Sequence, residues 1–299
     1  MRTHSALILV SLVLVSVEAR AAGPTPPGAN RVTILYDAFG GGRGLTRDWG
    51  FAALVEYGGK RILFDTGNNA AIFERNVHAL GVDLRRLDFV VISHRHGDHT
   101  SGLNYLLRVN PRVRIFAPKE GFGVFGASLP GTFYRQDSSL PDSMRYFKGT
   151  TPERLTFGTP WPAANFTWID SLTEVAPGVA LTSTISATPG TLELHELSLV
   201  LRTPAGLVVL VGCSHPGIEK ILEATRPFGD HVHAIFGGLH LVTAADSTIS
   251  QVVSSLHDRW KLDQIAPGHC TGEPAFAELK RIFAKDYVFA GLGSITGLP

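Results

Sequence analysis

Three histidines and an aspartate fall within six residues of this 299-residue chain, in the run Ser93-His94-Arg95-His96-Gly97-Asp98-His99. Imidazole nitrogen and carboxylate oxygen are donors that borderline divalent cations such as Zn²⁺ prefer, and a tight loop can aim alternate side chains into one cleft. The run starts where the apolar stretch Phe89 to Ile92 ends, so it reads as a loop at the end of a buried strand. The chemistry this predicts is metal-assisted. Cations held this way lower the pKa of water from ~16 toward ~7 and polarise a carbonyl or phosphoryl oxygen, so hydrolysis needs no protein nucleophile. Further histidines stand in Gly212-Cys213-Ser214-His215, in Gly237-Gly238-Leu239-His240 and in Pro267-Gly268-His269-Cys270.

Those loops need a frame, and the hydrophobic pattern supplies one. Short runs rich in β-branched residues at Val32 to Tyr36, Phe51 to Val55, Ile62 to Phe64 and Phe89 to Ile92 predict strands. Leu103, Leu106 and Leu107 are at helical spacing and lead into Val113 to Phe116, which makes a βαβ unit. From Glu120 to about Pro177 the pattern dissolves into Gly, Pro, Ser and aromatic residues, predicting an inserted loop or cap region at about 120–177 that would wall the cleft and favour small substrates. Strands return at Leu197 to Leu201, Leu207 to Val211 and Val232 to Phe236. Helices are predicted at Ile218 to Thr225, near Ser247 to Trp260 and near Pro274 to Lys285. Strands and helices thus alternate in both halves, and the fold class is α/β.

Composition narrows the function. With 27 basic and 26 acidic residues, no excess positive charge is available for non-specific nucleic-acid binding. At 44% hydrophobic and 18% charged residues the chain is neither disordered nor coiled coil. Met1-Arg2-Thr3-His4 is a basic opening, Ala6 to Val17 is apolar apart from serines, and Ala19-Arg20-Ala21 offers a cleavage site. Residues 1–21 therefore read as a secretory signal peptide, too short to anchor the chain across a bilayer, leaving residues 22–299 as the mature domain. Cleavage would remove Arg2, Glu18 and Arg20 and leave the mature chain formally neutral. The expected setting is periplasmic or secreted. The expected partner is a small-molecule substrate, with no nucleic acid and no stable membrane insertion.

The pattern His-x-His-x-Asp-His after an apolar strand resembles the signature of the metallo-β-lactamase fold hydrolases. Leu63-Phe64-Asp65-Thr66-Gly67 resembles their first motif and Pro267-Gly268-His269 their last. The resemblance implies an αββα sandwich, two mixed β-sheets flanked by helices, with two divalent metal ions, Zn first and Fe or Mn as alternatives. Cys213 stands where most members have an aspartate, and His195 is a poor match to the usual third-motif histidine. Gly212-Cys213-Ser214-His215-Pro216-Gly217, Gly237-Gly238-Leu239-His240 and His269-Cys270-Thr271-Gly272 together are similar to the branch of proteins related to dihydropterin ribofuranosyl-aminobenzene phosphate synthase. That synthesis is cytosolic, so the resemblance carries over a metal site and not the reaction.

By this resemblance His94 and His96 hold one metal, and Asp98, His99 and His269 the second. Asp98 also steers the attacking water, and Asp65 orients the ligand loop from behind. Cys213 is a thiolate ligand or a small buried core residue. His215 is the expected third ligand of the first metal, with His240 its rival as ligand or substrate contact. Cys270 faces the same cleft or pairs with Cys213 in a disulfide. The function so implied is a secreted binuclear hydrolase that uses a metal-bound hydroxide on a small ester, lactone or phosphoester. The alternatives are a di-iron redox protein of the same fold and a non-catalytic small-ligand-binding module.

Overall fold

Val32 to Tyr36 and its neighbours do form strands in the computed structural model, which describes residues 30–120, 127–130, 138–150, 153–157, 160–187 and 193–299. The leader expected at residues 1–21 and parts of the 120–177 segment lie outside these residues. β1 (Arg31–Tyr36), β2 (Ala52–Tyr57) and β3 (Lys60–Phe64) make an antiparallel meander. Gly58 and Gly59, both at positive φ, close the β2–β3 hairpin, because a two-residue turn that matches strand twist needs two such residues. Helix α1 (Ala70–Ala79) leads to β4 (Phe89–Val91). The short helices α2 (Gly97–Thr100) and α3 (Leu103–Val109) then lead to β5 (Arg114–Pro118).

β6 (Ala127–Pro130) and β7 (Arg154–Phe157) pair antiparallel as a separate two-stranded sheet, and β8 (Asn165–Ile169) adds parallel to β5. β9 (Thr173–Ala176), β10 (Val179–Ile185), β11 (His195–Thr203) and β12 (Gly206–Val211) form a second antiparallel run. α4 (Ile218–Thr225), β13 (Val232–Gly238), α5 (Asp246–Ser254), β14 (Gln264–Gly268), α6 (Glu273–Phe283) and β15 (Ile295–Gly297) follow.

The main sheets run β15-β1-β2-β3-β4-β5-β8 and β14-β13-β12-β11-β10-β9, each part antiparallel and part parallel. Ile34, Val55, Phe64 and Val91 of the first sheet meet Leu181, Leu199, Leu210 and Phe236 of the second in one buried core. The outer face of the first sheet packs on α1 and α3 through Leu35, Leu63, Phe73 and Leu106. That of the second packs on α4 to α6 through Val209, Ile221, Val253 and Leu279. The fold is the expected αββα sandwich, held by burial of both faces of each sheet.

Two expectations shift. The 120–177 segment contributes β8 and β9 to the main sheets as well as the two-stranded β6–β7 sheet. β8 is an edge strand with half-exposed residues, so its sequence lacks a strong apolar period. The helix predicted near Ser247 to Trp260 is α5 followed by a wider turn over Ser255–Arg259. Among the described residues no helix is long and apolar enough to cross a membrane.

Candidate metal centre

In both sheets the parallel strands end at the same cleft, which is where open α/β sheets place ligands. Asp65 follows β3, Ser93 to His99 follow β4, Cys213 to His215 follow β12, His240 follows β13 and His269 follows β14. Asp65, Ser214, His240 and His269 all have positive φ, at 56°, 63°, 52° and 46°. Such left-handed geometry is uncommon for residues other than glycine and turns each loop sharply inward at its strand end.

Asp65 is the buried hub. Its Oδ1 accepts the Ser93 N–H at 2.7 Å. Its Oδ2 accepts the Ser93 hydroxyl at 2.7 Å and lies 2.7 Å from His99 Nδ1. Ser93 Oγ is in turn 2.8 Å from His94 Nδ1. With the hydroxyl proton given to Asp65, Ser93 Oγ can only accept from His94, so both imidazoles turn a bare or exchangeable Nε2 toward the cleft. Asp65 thus lies behind the ligand loop, bonded to Ser93 and to His99.

Two further carboxylates that sequence reading passed over support the opposite wall. Glu196 on β11 is fully buried and accepts the backbone N–H groups of Cys213, Ser214 and His215 at 2.7 to 2.9 Å. Burial pushes its pKa up to about 7 against the pull of those three donors. Asp37, buried after β1, accepts the His269 N–H at 3.0 Å, and burial likewise raises it to about 7 against its backbone donors. The signal for Glu196 was present, since a lone acidic residue inside an apolar strand run must be compensated. Asp37 and Ser93 carried no comparable local mark.

The side chains converge in two three-donor groups. His96 Nδ1 is 3.0 Å from His94 Nε2 and 3.1 Å from His215 Nε2. His269 Nε2 is 3.2 Å from His99 Nε2 and 3.4 Å from Asp98 Oδ2. Within each group, His94/His96/His215 and Asp98/His99/His269, the ligand atoms lie within 4.8 Å of one another. His215 therefore joins His94 and His96, whereas His195 sits at the start of β11 opposite Ile185, outside both groups. Burial, followed by neighbouring charges, lowers the pKa of His94 and His215, the latter to about 3. Burial also outweighs Asp98 in lowering His96. All three are neutral at physiological pH, the form that ligates metal. Asp98 is held well below the usual carboxylate range by His269 and His99 despite its burial, so it is ionised. Three imidazoles in one group, and two imidazoles with a carboxylate in the other, are donor sets that at these separations fit a divalent cation.

Cys213 Sγ lies 3.2 Å from His99 Nε2 and shares a ligand-atom group with His94 and His99, between the two sets. Cys270 donates to the Cys213 carbonyl at 3.5 Å, and both cysteines are buried and free, so the alternative of a disulfide between them is not realised. His240 approaches from the rim. Its ring is 4.2 Å from that of His215, and it groups with the two sulfurs and not with His94 and His96. Trp49, 45% exposed, packs its ring at 5.1 Å and tilted by 54° against that of His269 and forms one lip of the cleft. Among the described residues His269 Nδ1 is buried with no hydrogen-bond partner; Trp49 packs against the ring, and Asp37 holds the backbone N–H of the same residue.

An αββα sandwich with two such donor groups at its parallel strand ends defines a class, and residues 46–239 match the metallo-beta-lactamase superfamily, to which this chain belongs. The chain is 28% identical over 257 residues to the 7,8-dihydropterin-6-methyl-4-(beta-D-ribofuranosyl)-aminobenzene-5'-phosphate synthase of Methanocaldococcus jannaschii, covering 79% of this chain and 84% of that one. Among solved structures it is similar to a metal-dependent hydrolase of the beta-lactamase superfamily, with TM-score 0.68 and 26% identity over 90% of this chain and 99% of the other. The metallo-beta-lactamase fold protein YhfI from Bacillus subtilis shares the fold at TM-score 0.55 and 14% identity, over 90% of this chain and 99% of that one.

Proposed function

We propose that this protein is an exported metal-dependent hydrolase acting on a small ester, lactone or phosphoester. The observation that carries the reading is the pair of donor groups, His94/His96/His215 and Asp98/His99/His269, tied together behind the cleft by Asp65. Each group would hold one divalent cation, with Cys213 between them. Bound there, the cations supply Lewis acidity toward water and toward a substrate carbonyl or phosphoryl oxygen.

The chain's own residues supply the rest. Asp98 is ionised and 21% exposed on its side chain, so its carboxylate faces the cleft and can orient water there. Asp65 and Ser93 fix the tautomers of His99 and His94, and Asp37 and Glu196 fix the loops carrying His269 and His215. Trp49 offers an apolar face at the lip for the body of a small substrate. The near balance of acidic and basic residues supports a small molecule over a nucleic acid. The name of the archaeal synthase contains a 5'-phosphate, which puts phosphoesters first in a screen. The basic opening and apolar run within residues 1–21 support export, and N-terminal sequencing of the mature protein is expected to place its first residue at 22.

Elemental analysis of protein purified without chelator, followed by an ester and phosphoester screen, tests the reading. The expected result is about two metal equivalents per chain, with hydrolysis abolished by chelator and restored by the ion. Less than about half an equivalent, unrecoverable under reducing conditions, would sink it. The thiol of Cys213 beside His99 favours one second reading, an iron centre with redox activity, which visible absorption of the purified protein separates from a zinc hydrolase.

A further inference from the structure

Cys213, His240 and Cys270 leave the ends of three adjacent parallel strands, β12, β13 and β14, and their ligand atoms lie within 4.8 Å of one another. His240 and Cys270 belong to neither donor group of the proposed hydrolytic centre. Their chemistry differs as well, since two sulfurs and one imidazole form a soft donor set beside two harder ones.

The fold makes room for this cluster. A Cβ on Gly238 would lie 2.7 Å from Cys270 Sγ and 2.6 Å from the Gly212 carbonyl, so only glycine lets the two cysteine loops close together. Both cysteines are 3% exposed, whereas His240 is exposed at the rim and held in left-handed geometry at φ 52°. The cluster has a buried sulfur floor and a histidine at its entrance, which gives an ion a path in. The free state of both cysteines leaves the sulfurs available.

We propose that Cys213, Cys270 and His240 form a third cation site, for a thiophilic d¹⁰ ion of the Cu(I) class, beside the hydrolytic centre and joined to it through Cys213. As the two sulfur–metal bonds form, each thiol gives its proton to solvent and no electron is transferred. Cys213 is the shared member, because it also faces His94 and His99. Filling the third site draws that thiolate away from them, so a soft ion acts on the centre without displacing its histidines. This goes beyond the hydrolase reading and does not depend on it.

The test uses full-length, zinc-loaded protein, reduced and anaerobic, titrated with Cu(I) alone. Bound copper and zinc are counted after desalting, and X-ray absorption reads the copper neighbours. The expected result is one Cu(I) per chain with two sulfur neighbours and one nitrogen neighbour, and zinc retained. Cys270→Ser and His240→Ala should each weaken Cu(I) binding at least about tenfold, the lower end of what even an outer partner of a metal ligand is worth, while zinc content holds. Should Cys270→Ser fail to fold, His240→Ala at the exposed rim still decides the matter. Unchanged Cu(I) uptake in His240→Ala, copper entering only as zinc leaves, or zinc lost together with copper in the variants overturns the proposal. Protein that holds no zinc yet takes one Cu(I) in this geometry supports the third site and counts against the hydrolase reading alone.

Discussion

Asp65 Oδ2 lies 2.7 Å from His99 Nδ1, and the same oxygen accepts the Ser93 hydroxyl that holds His94, so one buried carboxylate orients an imidazole in each donor group. Neither group is independent of the other. A change at Asp65 should be felt at both, although Asp65 itself belongs to neither set of ligand atoms.

Asp65→Asn is the direct check. The amide keeps the size and, like aspartate, tolerates the left-handed backbone at φ 56°, yet its NH₂ must face one of the donors that the carboxylate satisfies. Metal affinity should fall about 10- to 100-fold, the usual worth of a residue that orients a ligating histidine. Competition with a graded chelator measures this. An unchanged affinity would remove Asp65 from the metal argument.

His215→Ala and His195→Ala make a matched pair. Removing a member of the His94/His96/His215 group should cost about one metal equivalent. Removing His195, at the start of β11, should cost none. Metal counts on the two variants, with far-ultraviolet circular dichroism as the folding control, decide between them.

Much of this centre was legible because its ligands lie close in sequence. His94, His96, Asp98 and His99 share one loop, and a strand end before that loop is enough to aim them. The order of His215 over His240 rests on a weaker signal, its place two residues after Cys213. Both follow apolar strands, and only the pairing of β12 and β13 across the cleft from β4 brings His215 to His96 and leaves His240 beside the sulfurs. Glu196 and Asp37 act on backbone N–H groups of loops distant in sequence, a relation that no local spacing encodes. β8 was read as part of an insertion for a physical reason. An edge strand needs only one buried face, and Asn165 to Ile169 shows little burial contrast.

Proton and metal compete at His99. Burial alone would lower its pKa, but the charge and hydrogen bond of Asp65, with the charge of Asp98, outweigh it and raise the group to about 9. In the metal-free protein His99 therefore keeps its proton between its ordinary value of 6.5 and about 9, and an incoming cation must displace it. Apparent metal affinity should rise about tenfold per pH unit over that window from this one proton and flatten above it. Stability of the metal-free protein should run the other way. The contribution of a group with a raised folded-state pKa is fully present below 6.5 and is lost as pH rises through about 9. Thermal melts of chelated protein should show Tm falling across the window, and a Tm that climbs there would contradict the ion pair.

Gly212→Ala tests the packing behind the centre. A Cβ at this position would sit 2.2 Å from Ser93 Oγ, 2.7 Å from Ser93 Cβ and 3.2 Å from Asp65 Oδ2, in the middle of the hydrogen bonds that tie the two donor groups together. Ser93 must move, His94 Nδ1 then loses its partner, and overpacking of this kind costs about 1–3 kcal/mol. Tm and metal content should drop together. Adding Ser93→Ala removes the clashing hydroxyl but not the clashing Cβ, so the double variant should regain part of the stability and none of the metal affinity. Recovery of both would mean that the hydroxyl fills space without orienting His94. Recovery of neither would place the clash at the Ser93 Cβ and not at its hydroxyl.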